Sequence, residues 1–127
     1  MLATARPMKH EQVTGEIIGA AQAVLYELKP GLDEKLYERA LLIELTERGL
    51  TVDQQKSHEV FYKGHLIGKL IPDLIVESEV IVEVKVAKGF TDDHLAQMLG
   101  YLTIAHLDVG LLLNFKYAKL QVKRVVR

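Results

Sequence analysis

The chain has 127 residues, with 16 basic and 17 acidic side chains giving a formal net charge of -1, and it contains no cysteine. A single domain over 1–127 is expected, large enough to bury roughly two thirds of its unfolded surface without staples. Disulfide scaffolds and cysteine zinc sites are excluded, and the near-zero charge argues against wholesale electrostatic coating of nucleic acid.

In chain order the first third is helical. Val13, Ile17, Ala20, Ala21, Val24 and Leu28 recur at three- and four-residue steps, and Lys29-Pro30-Gly31 ends the run. A second helix starts at Asp33, takes Leu36, Ala40 and Ile43 with Tyr37, Leu41 and Leu45 as its apolar side, and stops at Gly49. Residues 52 to 62 and 66 to 76 then read as two strands joined by a tight turn at Lys63-Gly64. A third strand covers 80 to 86, with Val80, Val82, Val84 and Val86 on one side and Ile81, Glu83 and Lys85 on the other. Thr91 caps a helix carrying Asp92 and Asp93 in its first turn and a buried stripe of Leu95, Met98, Leu99, Leu102 and Ala105. Strands over 109 to 115 and 120 to 126 close the chain. The order ααβββαββ implies an α/β (α+β) fold, a mixed β-sheet flanked by helices.

The remaining stretches carry fewer signals. No apolar run reaches the ~18 residues of a membrane span, and the N-terminal MLATARPMKH has no apolar export segment. A cytoplasmic protein is expected, with residues 1–8 a flexible terminus and Met8 an alternative start. The pair Gly68-Lys69 sits one residue short of a P-loop spacing and lacks the following Ser or Thr, so it reads as strand.

Charge is unevenly spread. Residues 73 to 83 hold four acids and no base, whereas Lys116, Lys119, Lys123, Arg124 and Arg127 follow Val109 with no acid among them. An acidic cluster beside a basic tail suits a metal site next to a phosphate-binding surface; a solvated terminal strand accounts for the tail equally well.

Phosphodiester hydrolysis needs a divalent cation to neutralise phosphate and activate water, and two carboxylates are economical hard ligands for it. Asp73 and Glu83 lie five positions either side of Ser78, so they face each other if the flanking strands pair. Lys85 follows Glu83 on the same face, about 7 Å along the strand, placed to orient water or hold phosphate, and the Val84 carbonyl is free to add a ligand. A Glu-x-Lys triplet alone carries little information, since Glu27-Leu28-Lys29 is a second copy at a helix end. An amphipathic strand with a wet charged side accounts for these residues too.

Pro72-Asp73, nine residues, then Glu83-Val84-Lys85 resembles the signature of the PD-(D/E)XK nuclease superfamily, whose restriction-endonuclease-like core fits the order above. Gly31-Leu32-Asp33-Glu34-Lys35-Leu36-Tyr37 resembles the motif of the GxxExxY protein family within it, and EQVTGEIIGAAQAVLYEL, FYKG, HLAQMLGYL and GLLLNF are similar to its blocks, from about Glu11 to Arg124. The resemblance implies a Mg²⁺- or Mn²⁺-dependent nuclease, acting on DNA more than RNA. It assigns metal ligation to Asp73, Glu83, the Val84 carbonyl and Glu34, and a catalytic role to Asp73, Glu83, Lys85, Gln97 and Glu34. Substrate contacts fall to Lys85, Gln97, Tyr101 and Lys116. His94, Gln97 and Tyr101 are expected off the buried stripe, with His94 an ordinary surface histidine, Tyr37 a core tyrosine and Gly31 a turn residue. The alternative function is a catalytically silent module of the same fold that binds nucleic acid or a protein. The expected partners are nucleic acid and, through the basic terminal strand and apolar edges, a second copy in a homodimer; no membrane is expected.

Overall fold

The computed structural model describes residues 10–127; the flexible terminus expected over 1–8 and the alternative start at Met8 lie outside the described residues. The elements are α1 (Glu11–Leu28), α2 (Glu34–Glu47), β1 (Val52–Gln54), β2 (His58–Tyr62), β3 (His65–Leu70), β4 (Leu74–Val76), β5 (Val80–Lys85), α3 (Asp92–Ala105), β6 (Val109–Asn114) and β7 (Gln121–Val126). β1, β4, β5, β6 and β7 form one sheet in that spatial order. β5 and β6 run parallel across the α3 crossover, and every other neighbouring pair is antiparallel, so the sheet is mixed as expected.

Two expected strands are each broken in two. The run over 52 to 62 divides at Gln55, whose φ of 54° turns the chain out of β1. The run over 66 to 76 divides at Pro72, which supplies no backbone donor and restricts the residue before it. The excised middle, β2 and β3, forms its own two-stranded sheet across the Lys63-Gly64 turn, where both residues have positive φ as such a turn requires. The order is therefore ααβββββαββ.

Alternation along the strands sorts the core into two layers. Val80, Val82, Val84, Leu111 and Leu113 pack with α1 and α2 on one face, and Ile75, Ile81, Leu112 and Val125 pack with Met98 and Leu102 of α3 on the other. Along α2 the buried positions are Tyr37, Glu38, Leu41 and Leu45. Leu36 and Ile43, expected on that side, are 45% and 58% exposed, because they flank a stripe already filled at four-residue spacing. Leu99 is exposed in the same way on α3.

Tyr37 is the core tyrosine that was expected. Its ring stacks on Phe115 at 4.8 Å, and its hydroxyl donates to the Lys29 carbonyl at 2.6 Å and accepts the Leu32 N–H at 3.1 Å. One side chain thereby fixes the α1–α2 turn, in which Gly31 holds a φ of 118°. At the start of α3, the Thr91 hydroxyl accepts the His94 N–H and the His94 ring accepts the Thr91 N–H, both at 3.2 Å, closing a reciprocal cap.

α3 sits close against the sheet at one spot. A Cβ at Gly110, the second residue of β6, would come within 2.3 Å of the Met98 sulfur, so the helix packs where β6 lacks a side chain. At the C-terminal end of β6, fully buried Asn114 ties the neighbouring loops together. Its amide donates to the Ala87 carbonyl and to Gln121, and its carbonyl oxygen accepts from the Ala87 and Lys116 N–H groups.

Candidate active site

β4 and β5 pair as Val76↔Val80, Ile75↔Ile81 and Leu74↔Val82, so the next rung sets Asp73 opposite Glu83. The register is centred on a connection in which Glu77 and Ser78 both have left-handed backbones. On the other flank the Gln55 N–H donates to the Asp73 carbonyl at 2.9 Å. The two acids are held by crossed bonds: the Asp73 N–H donates to Glu83 Oε1 and the Val84 N–H donates to Asp73 Oδ2, each at 2.9 Å. Backbone N–H groups thus fix the orientation of both carboxylates.

Electrostatically the pair is strained. Burial and then the charge of Asp73 push the Glu83 carboxyl up from 4.5 to about 8, with Lys85 pulling weakly the other way. Asp73 is raised as well, chiefly by burial, with Glu38 adding to the rise and the Val84 N–H opposing it. Two desolvated carboxyls, both raised above their ordinary range, are an arrangement that a cation relieves.

Lys85 is half-buried two residues beyond Glu83, on the same side of β5. Tyr101 belongs here too. It was expected off the buried stripe, yet it packs against the α3-side cluster, and burial followed by the charges of Glu83 and Asp73 raises its hydroxyl above the usual range. It therefore stays a protonated donor beside the acids.

Other expected residues stand further out. Glu34 is exposed, and its carboxylate accepts the Val86 N–H at 2.9 Å, just beyond Lys85 at the end of β5. Gln97 and Lys116 are exposed at the surface. His94 is engaged in its helix cap.

A residue that sequence reasoning missed sits closer. Glu38 is only 3% exposed and accepts from Gln54 Nε2 at 2.9 Å, from Gln55 Nε2 at 3.1 Å and from Lys35 Nζ at 3.3 Å. Gln55 Nε2 also donates to Asp73 Oδ1 at 3.4 Å, so Gln55 bridges the two carboxylates. The available signal was an acid one turn after Glu34, set between Tyr37 and Leu41 where an apolar residue would be routine.

The donor set suits a hard dication of the Mg²⁺ or Mn²⁺ kind. Among the described residues no three acidic or histidine side chains form a metal-holding group. A Mg²⁺ ion commonly takes one or two carboxylates and completes its shell with water and substrate phosphate, and a two-carboxylate set of Asp73 and Glu83 fits that chemistry. Also among the described residues, no helix is long and apolar enough to cross a membrane.

Comparison with known proteins bears on the family and the fold. A family model described as the PD-(D/E)XK nuclease superfamily matches residues 11–125. The crystal structure of SSO0001 is similar with a TM-score of 0.60 at 15% identity, over 94% of this chain and 60% of that one. The chain thus spans 60% of that protein's length, and the likeness shows the shared fold. No curated protein matches.

Proposed function

The chain belongs to the PD-(D/E)XK nuclease superfamily, and from that premise we propose that it is a metal-dependent nuclease hydrolysing phosphodiester bonds, in DNA more readily than in RNA. The observation that carries this reading is the crossed Asp73–Glu83 pair with Lys85 two residues along the same strand face. Asp73 and Glu83 are the side chains that would hold Mg²⁺ or Mn²⁺, with the Val84 carbonyl as a further ligand. When bound, the ion supplies charge neutralisation of the phosphate and a lowered pKa for its water.

The protein's own groups do the rest. Lys85 holds the phosphate or orients the attacking water, and its ammonium meets charge that grows as the bond breaks. Tyr101, protonated beside the acids, donates to a phosphate oxygen, and exposed Gln97 and Lys116 contact the strand further out. Glu34 acts on the end of β5 through the Val86 N–H, and so positions Lys85. Glu38 acts on Asp73 through Gln55.

A silent nucleic-acid- or protein-binding module is the second reading, favoured by the absence of a third acidic ligand among the described residues. Calorimetric titration with Mn²⁺ separates the two. The nuclease takes up the ion and Asp73→Asn abolishes the heat; equal heats in both proteins, or none in either, leave the silent module.

A homodimer belongs to the same proposal. Val122 and Val126 on the edge strand β7, and Phe61, Leu66 and Ile67 on the β2–β3 hairpin, are exposed apolar side chains on which two copies could meet. Sedimentation of the purified protein should give twice the chain mass; a monomer across the accessible concentration range removes the dimer and leaves the chemistry untouched.

A further inference from the structure

A well-formed cavity lies away from the acidic pair. It has a volume of about 390 Å³ and lies between the last turn of α1 and the β6–β7 connection, where Leu25, Tyr26, Lys29, Pro30, Lys119 and Leu120 line it. That size is within the usual range of small-molecule sites, about 300–1,000 Å³. Its walls carry two cations and no acid. A basic, partly apolar hollow is complementary to a ligand that is both anionic and flat.

Tyr26 supplies the flat partner. It is 78% exposed, although Val24 and Leu25 beside it on α1 are buried. Lys29 Nζ rests 4.4 Å from its ring centroid. A planar ring stacking on that face would displace the ammonium and free it to meet an anion.

The hollow is held in shape from both sides. Tyr37 fixes the Lys29 carbonyl at 2.6 Å, and Asn114 fixes the loop after β6 through the Lys116 N–H and Gln121. The Tyr117 hydroxyl further ties this loop to the Lys88 carbonyl. The sheet ladder relates the loop that lines the hollow to the strand that carries Lys85. Lys85 pairs with Asn114, which pairs with Gln121, and Leu120 and Lys119 come immediately before Gln121. Two strand spacings amount to about 10 Å across the sheet.

We infer that this cavity is a subsite for an unpaired stretch of the nucleic-acid strand, with one base stacked on Tyr26 and adjoining phosphates on Lys29 and Lys119. The inference rests on the nuclease reading for its choice of ligand, but it needs neither metal nor bond cleavage. The shared chemistry of stacked base and phosphate comes from DNA and RNA alike, so both are tested.

Fluorescence anisotropy of labelled single-stranded DNA, single-stranded RNA and duplex DNA, in EDTA, reads binding alone. The protein should prefer a single strand to the duplex. Tyr26→Ala should weaken single-strand binding about 5- to 100-fold, the effect of losing one stacked base. Lys29→Gln combined with Lys119→Gln should reduce the slope of log K against log salt by about 1.4, two phosphate contacts on a single strand. Whichever of DNA or RNA shows the larger loss on Tyr26→Ala is the strand the subsite takes.

Unchanged affinity in these variants, or no preference for the single strand, overturns the subsite, and a wild type that still cleaves in Mn²⁺ then keeps the nuclease reading. Conversely, a protein that never cleaves but loses single-strand binding on Tyr26→Ala upholds the subsite and sinks the nuclease reading.

Discussion

Lys85→Ala should lower metal-dependent cleavage of nucleic acid by about 10²- to 10³-fold, the usual effect of removing one preorganised charge from the reacting centre. The expectation follows from its position. Lys85 is half-buried at the end of β5, on the side of the sheet that carries Glu83, and its charge is felt by Glu83. Removing it should not unfold the protein, because the backbone at this position is held independently by the Phe115 N–H bonded to the Lys85 carbonyl at 2.9 Å. The variant should therefore melt near the wild-type temperature and still take up Mn²⁺. Single-turnover cleavage at saturating metal is the deciding measurement. Full activity in Lys85→Ala would remove Lys85 from the mechanism; a loss of metal uptake along with activity would reassign it to holding the acids.

In EDTA the protein should become less stable as pH rises through the neutral range. Glu83 has a carboxyl pushed up to about 8 in the folded state, against 4.5 when free. Between those values the folded chain keeps a proton that the unfolded chain has released, so each pH unit costs the folded state about 1.4 kcal/mol at most. Across the window this sums to an order of a few kcal/mol, and the slope levels off above about pH 8. The raised Asp73 acts in the same direction. Glu77 works with the opposite sign. Its carboxylate accepts from the Thr51 hydroxyl and N–H, which lowers its pKa, so its contribution is present at neutral pH and is lost only on acidification below the ordinary carboxylate range.

Thermal melts from about pH 5 to about pH 9 should show this decline. Glu83→Gln should flatten it, since the amide carries no proton to lose. Mn²⁺ should restore stability most strongly at the alkaline end, where the acids are ionised for the ion. A profile that is flat or rising over the same range in EDTA would show that Glu83 is already charged near neutrality and that the pair is not strained.

Much of the arrangement could be read directly from the residues. The Asp73–Glu83 register followed from symmetry about Ser78, because period-two alternation leaves few choices once the turn is fixed. Val-rich alternation set Glu83 and Lys85 on the face of β5 opposite Val80, Val82 and Val84, and Thr91 marked the start of α3; that the valine face packs on α1 and α2 is seen only in the structure. The breaks at Gln55 and Pro72 were less visible, since the β-biased side chains continue across both and only the backbone changes direction. Glu38 was hidden for another reason. Its partners Gln54 and Gln55 lie 16 and 17 residues away, and contacts made by packing a helix against a sheet edge leave no local period. The cavity beside Tyr26 likewise joins segments some ninety residues apart in the chain.

Gly110 governs more than local packing. Since Met98 descends into the space where a side chain would stand, the absent methyl sets how closely α3 is seated on the sheet, and Tyr101, less than a turn further along the same helix, is carried with it. The placement of a hydroxyl whose titration the two acids perturb is in this sense gauged by a neighbouring strand position that has no side chain of its own.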